Sequence, residues 1–174
     1  MQVTFEPVET QTQQEELARL AGAIWHEYWP ALIGEAQTDY MVEQFQSLPA
    51  IRRDMAENDY EYWFVRATDD DGTTRTVGYT GGHVEPETNR FFISKIYLLA
   101  EERGRHFASA VVSFYENLCR ERGLVAMYLT VNKGNELGIR AYRGKGFETI
   151  DAVETEIGED FVMDDYIMEK RVES

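Results

Sequence analysis

The residues Arg103-Gly104-Arg105-His106-Phe107-Ala108 follow an apolar run, Phe91 to Leu99, across the break Ala100-Glu101-Glu102, and an amphipathic segment begins directly after them. That order reads as strand, tight loop and helix. The first N–H groups of a helix have no partner inside it and carry the positive end of its dipole, so such a loop suits an anion, typically phosphate. Asn132, Asn135 and Tyr142 form a second polar group behind another apolar run, Leu124 to Val131. Two neighbouring parallel strands ending near Leu99 and Val131 would point their C-terminal ends the same way, and ligands of such sheets bind beyond those ends. A phosphate-bearing cofactor with an elongated arm fits that place.

Other chemistries have little support. Cys119 is the only cysteine, which excludes an intramolecular disulfide and a Cys-rich metal site; inside a helix it reads as a small buried hydrophobe. The three histidines, His26, His83 and His106, show no zinc-type spacing, and no metal is expected. Asp69-Asp70-Asp71-Gly72 reads as a solvated turn, because a calcium loop is longer and closes on a distal carboxylate. Net charge is −15, from 17 basic and 32 acidic residues; this disfavours nucleic acid and would attract a cationic substrate. No apolar run reaches the ~20 residues that span a bilayer. The segment Met1 to Glu6 lacks a basic stretch followed by an apolar one, so no membrane partner or secretory signal is expected, and the expected place is the cytoplasm.

The elements that must hold these residues follow from hydrophobic periodicity. At 174 residues one domain, 1–174, is expected. Val3 to Val8 reads as a strand. Gln11 to Tyr28 reads as a helix with a stripe of Leu17, Leu20, Ala21, Ile24, Trp25 and Tyr28, ended by Pro30. One helix is expected over 35–46, and a short one begins at Ser47-Leu48-Pro49. Glu61 to Thr68 and Thr74 to His83 form a hairpin around the acidic turn, with Gly81-Gly82 marking a bulge or a close approach. After the central strand, Gly104 to Arg122 is a helix closed by Gly123, then a buried strand, a short helix over 136–143, and a final hairpin near 147–156 and 161–170. The fold class is α+β, a mixed sheet around one parallel crossover.

On these motifs the chain resembles the GNAT superfamily of N-acetyltransferases over nearly its whole length. That family carries an Arg/Gln-x-x-Gly-x-Gly/Ala loop, and Arg103, His106 and Ala108 occupy its three defining places here. Val131-Asn132-Lys133-Gly134-Asn135, Ala141-Tyr142 and Gly146-Phe147 follow in the family's order and spacing. The resemblance implies a mostly antiparallel seven-stranded sheet with one parallel pair, near 91–99 and 124–131, and helices on both faces. It implies acetyl-CoA as co-substrate, held by Tyr97, Leu98, Leu99, Arg103, Gly104, Arg105, His106, Phe107, Ala108, Asn132, Asn135 and Tyr142. Tyr142 would protonate the departing CoA thiolate, and the Leu98 N–H would polarise the carbonyl.

Two positions depart from the family. His106 replaces the middle glycine and is expected to keep a helical backbone. Ser94 stands where many members place a glutamate base, so deprotonation is expected through water or from Glu27, His26 or Asp164. The first helices roof the acceptor site in this family, so His26, Glu27 and Ser94 are the expected substrate-binding residues. The resemblance is to small bacterial enzymes acetylating polyamines or other small amines. It leaves open a homodimer, a CoA-binding sensor without catalysis, and an enzyme of protein N-termini or lysines.

Overall fold

A computed structural model describes residues 1–102 and 106–173. Seven strands make one sheet in the order β1-β2-β3-β4-β5-β7-β6. They are β1 (Gln2–Pro7), β2 (Glu61–Thr68), β3 (Thr74–Glu85), β4 (Arg90–Leu98), β5 (Ala126–Asn132), β6 (Glu148–Gly158) and β7 (Phe161–Arg171). The β4–β5 pair is parallel, with Arg90 opposite Ala126 and Ile93 opposite Leu129. The β1–β2, β2–β3, β5–β7 and β6–β7 pairs are antiparallel. The mixed, mostly antiparallel architecture expected from the sequence is therefore present. Residues group into two compact units, one of Met1–His83 and Lys95–Val111, the other of Val84–Ser94 and Val112–Ser174.

In the first unit, α1 (Gln11–Tyr28) starts at a capping box: the Thr10 hydroxyl accepts from Gln13 N–H while the Gln13 side chain accepts from Thr10 N–H. Leu17, Ala21, Ile24 and Trp25 bury one face of α1, and Leu17, Ala21 and Ile24 join Val8, Ile51, Tyr62, Phe64 and Tyr79 in a core. Pro30 does follow the end of α1. It also occupies the first turn of α2 (Pro30–Ile33), where its missing N–H costs nothing.

The single helix expected over 35–46 is instead α3 (Glu35–Met41) followed by a π-helical turn, Val42–Gln46. The extra residue per turn has a use, because Gln46 is buried and its Oε1 accepts from the Tyr79 hydroxyl at 3.0 Å. Helix α4 (Leu48–Glu57) is capped by Ser47 with Pro49 in its first turn. The β2–β3 hairpin carries a bulge where Val65 pairs with Gly78 and Arg66 with Thr76. Gly81 meets a close approach, since a Cβ there would lie 2.5 Å from the Tyr62 ring.

In the second unit β5 and β7 form the interior ladder, and β6 is an almost fully exposed edge whose Glu148, Asp151, Glu154 and Glu156 discourage further pairing. Helix α5 (Phe107–Arg122) ends at Gly123, in the left-handed region at φ 69°. Its Tyr115 packs against Phe91 of β4, ring centroids 5.2 Å apart. Cys119 is fully buried and its thiol is pushed up to about 11 by burial, as a packing residue would be. Helix α6 (Glu136–Gly144) ends before Gly146, at φ 97°.

Candidate active site

The first unit holds the end of β4 and a cluster of aromatic side chains. Tyr97 is half-buried, with ring centroids 5.3 Å from Trp25, 5.5 Å from Tyr79 and 6.4 Å from Trp29. Trp29 stacks on Trp25 at 5.1 Å, and its buried indole N–H has no acceptor among the described residues. Trp25 Nε1 donates to the Tyr79 hydroxyl at 3.1 Å. Burial pushes the Tyr79 phenol up, so that hydroxyl is a relay of hydrogen bonds and stays protonated. Leu99 N–H donates to Val77 O at 2.9 Å and ties the end of β4 to β3.

The two polar residues of the α1 aromatic segment diverge. His26 is half-exposed; its Nδ1–H donates to Gly22 O at 2.8 Å and its Nε2–H to Asp39 at 2.7 Å. Two acceptors about the ring favour its protonated form, and the Gly22 bond, then Asp39, raises its pKa. Glu27 turns the other way and accepts from Ala100 N–H at 3.4 Å, bridging α1 to the turn Ala100–Glu102. The structure therefore does not bring His26 and Glu27 together, and the acceptors around His26 favour its protonated form.

Among the loop residues, Arg103, Gly104 and Arg105 lie outside the described residues. His106 is exposed and has φ 65°. This corrects the expectation of a helical backbone there. A glycine enters the left-handed region freely whereas histidine does so at some cost, which explains why the motif places glycine at that position. Phe107, buried, and Ala108, half-buried, open α5. The first turn of α5 holds no acidic residue, and nearby Glu102 is engaged by Arg75, Nε to Oε1 at 2.8 Å and Nη2 to Oε2 at 3.0 Å. The helix start thus fits an anion such as the phosphates of CoA.

The second unit holds the end of β5 and the start of α6. Asn132 Oδ1 accepts from Gly134 N–H at 2.8 Å, and its carbonyl accepts from Asn135 N–H at 2.9 Å. Asn135 is the N-cap of α6, its Oδ1 accepting from Gly138 N–H at 3.0 Å. Both asparagines, chosen from the sequence as ligands, therefore also build one turn. Tyr142 is half-buried on α6, edge-on to Phe147 at 5.6 Å, and its carbonyl accepts from Lys145 and Phe147 N–H, each at 3.0 Å. Ser94 is half-buried on β4, and Asp164 pairs with Lys133 at 2.8 Å.

Two ionisable groups escaped the sequence reading. Lys95, the lone charge inside the apolar run of β4, is buried, and desolvation lowers its ammonium to about 8. The signal was that single lysine in the run. Asp165 is 6% exposed and burial, helped by the Asp164 charge, raises its carboxyl to about 6. Next to Asp164 it gave no sequence signal, since only strand register tells which carboxylate turns inward.

No group of acids, histidines or cysteines suited to a metal ion occurs among the described residues, and no helix among them is long and apolar enough to cross a membrane. The fold is similar to that of the PaiA N-acetyltransferase of Thermoplasma acidophilum in complex with coenzyme A, with TM-score 0.75 and 19% identity over 98% of this chain and 99% of that one. A GCN5-related N-acetyltransferase of Rhodopseudomonas palustris has TM-score 0.75 and 12% identity over 99% and 97% of the two chains. The spermidine/spermine N-acetyltransferase SpeG of Vibrio cholerae has TM-score 0.64 and 16% identity over 98% and 92%. Among curated proteins no sequence matches significantly. The family model described as acetyltransferase (GNAT) family matches residues 22–147. Since that match takes in the end of α1, the strands β2 to β5, α5, α6 and the Asn132–Tyr142 segment, the chain belongs to the GNAT family of acetyltransferases, acyltransferases whose co-substrate is acetyl-CoA.

Proposed function

We propose that the protein acetylates a primary amine of a small molecule, a polyamine being the favoured type, by direct attack in a ternary complex with Tyr142 as general acid. Acetyl-CoA supplies an acyl group already activated as a thioester. The residues then have three tasks: to hold the cofactor, to admit an amine, and to give a proton to the departing sulfur. The observation that carries the reading is the placement of Tyr142, half-buried on the helix that Asn135 caps, with its ring held edge-on by Phe147. A phenol so fixed offers its proton from one direction.

For the cofactor we assign Tyr97, Leu98 and Leu99 at the end of β4, the residues from Arg103 to Ala108, and Asn132 and Asn135. The single seven-stranded sheet supports treating 1–174 as one acetyltransferase domain. Two facts favour an amine that is cationic in solution: the net charge of −15, and a fold shared with spermidine acetyltransferases.

The test is Tyr142→Phe, with acetyl-CoA affinity measured by calorimetry and CoA thiol release measured against a panel of amines. Turnover should fall by about a hundredfold with cofactor affinity nearly unchanged. Equal turnover removes Tyr142 as the acid. Cofactor binding with no thiol release on any amine would make the protein a CoA-binding module.

A further inference from the structure

Among the described residues, one acid on the sheet face that carries Ser94 has no hydrogen-bond or ion-pair partner. Phe92 stacks on Tyr128 across the parallel β4–β5 pair, centroids 4.8 Å apart, so Phe92, Ser94, Tyr128, Thr130 and Asn132 alternate onto a common side. Asp165 is the β7 residue in register with Asn132, and Glu169 the one in register with Tyr128, so both acids share that side. Asp164 turns to the opposite side, onto Lys133.

The acids of this face are treated differently. Arg90 reaches Glu169 at 2.8 Å and Glu85 at 3.1 Å, and Glu85 also accepts from Thr88 and the Tyr128 hydroxyl. The Thr88 bond, then the Tyr128 bond, hold the Glu85 carboxyl below its usual range. Asp165 is as deeply buried as a core residue, yet no hydrogen bond or ion pair engages its carboxyl among the described residues. Burying a carboxylate without a partner is costly, and a fold retains one where a ligand completes it. The missing partner is a hydrogen-bonding cation. Beside Asp165 on the same face runs a half-buried polar strip of Ser94, Thr130 and Asn132.

We propose that Asp165 receives the primary ammonium group of the acceptor and takes its proton. This rests on the reading above of the protein as a transferase of small amines, and it supplies the base that Ser94 cannot be. The ammonium gives one proton to the Asp165 carboxylate and becomes a neutral amine. The nitrogen lone pair then forms the C–N bond at the acyl carbon and the C–S bond breaks. Tyr142 protonates the sulfur and is reprotonated by the second proton shed from the nitrogen, while Asp165 gives the first to solvent, so that one proton is released per turnover. With a carboxyl raised to about 6, Asp165 is ionised at neutral pH and closer in basicity to an amine than an exposed aspartate is. The groups that set this value are Asp164, which raises it, and Lys133, which lowers it; Arg90 is committed to Glu85 and Glu169.

The experiment compares wild type with Asp165→Asn, which keeps the shape and loses the charge. Spermidine is titrated calorimetrically into each protein saturated with CoA, and kcat/KM for spermidine is followed from pH 5 to 9. Wild type should bind spermidine at least about tenfold more tightly. It should also show an acidic limb near pH 6 that the variant lacks, with kcat/KM in the variant lower by about a hundredfold. Thermal unfolding should show the variant as stable as wild type or more so, which separates the effect from misfolding. Equal spermidine affinity together with an unchanged acidic limb overturns the assignment, as does a wild type that binds no spermidine. Asp165-dependent binding without turnover of any amine overturns the transferase reading and leaves the ammonium site standing.

Discussion

The Lys95 ammonium donates to the Tyr62 hydroxyl at 2.8 Å and to the Phe45 carbonyl at 3.1 Å, and lies 4.9 Å from the centre of the Tyr62 ring. One buried cation thus pins the central strand both to β2 and to the π-helical turn, whose wider winding leaves the Phe45 carbonyl available. Hydrogen bonds and the ring face offset only part of the desolvation, and burial lowers the pKa from 10.5 to about 8.

The sign of the resulting pH dependence follows. Below pH 8 Lys95 is charged in both folded and unfolded chains, and the cost of burying the charge is fully present. Between about 8 and 10.5 the folded protein sheds the proton first, the unfolded chain binds more protons, and stability rises with pH. The gain is at most ~1.4 kcal/mol per pH unit across that window. Lys95→Met has no such group, so denaturant unfolding at pH 7.0 and pH 9.5 should shift the stability difference toward wild type by ~1–2 kcal/mol. A difference independent of pH would show that Lys95 is not desolvated as described.

The β3–β4 contact depends on an absent side chain. A Cβ on Gly78 would lie 2.2 Å from the Tyr97 carbonyl oxygen and 2.9 Å from Leu98 Cδ2. The first of these is backbone and cannot rotate away. Gly78→Ala should therefore cost ~1–3 kcal/mol or more, seen as a Tm lower by roughly 3–10 °C. Gly22 supplies the control, because a Cβ there meets nothing within 4 Å and the residue sits inside α1. Gly22→Ala should raise stability by up to ~1 kcal/mol through helix propensity. Equal melting of the two variants would refute the close approach.

Much of this was legible in the chain. Ser47-Leu48-Pro49 announced the start of α4 and Gly123 the end of α5, because caps depend on residues a few positions apart. Asn132, Asn135 and Tyr142 were proposed as site residues from their order along one short segment. What escaped depends on partners distant in sequence. The π-helical turn exists for Gln46 and Phe45, whose partners Tyr79 and Lys95 come 33 and 50 residues later. Asp164 and Asp165 are adjacent in sequence and opposite in role, a distinction set by pairing Asn132 with Asp165. At His106 the sequence exposed the irregular residue but not its left-handed backbone, which local propensity would have argued against.

Asn135 has two assigned tasks that a pair of variants can separate. As N-cap of α6 its Oδ1 takes the Gly138 N–H at 3.0 Å, and α6 carries Tyr142 on only nine residues, too few to hold a helix by propensity alone. Asn135→Ala should therefore cost ~1 kcal/mol of stability and also weaken acetyl-CoA binding, an ambiguous result by itself. Asn135→Asp keeps a cap acceptor and adds a negative charge at the helix start, which suits the dipole, so stability should return to within a few tenths of a kcal/mol of wild type. An ionised aspartate cannot donate a hydrogen bond to the cofactor arm and repels its phosphates. Calorimetry should accordingly find acetyl-CoA affinity still reduced in Asn135→Asp although unfolding is restored. Recovery of both together would assign Asn135 to the helix alone.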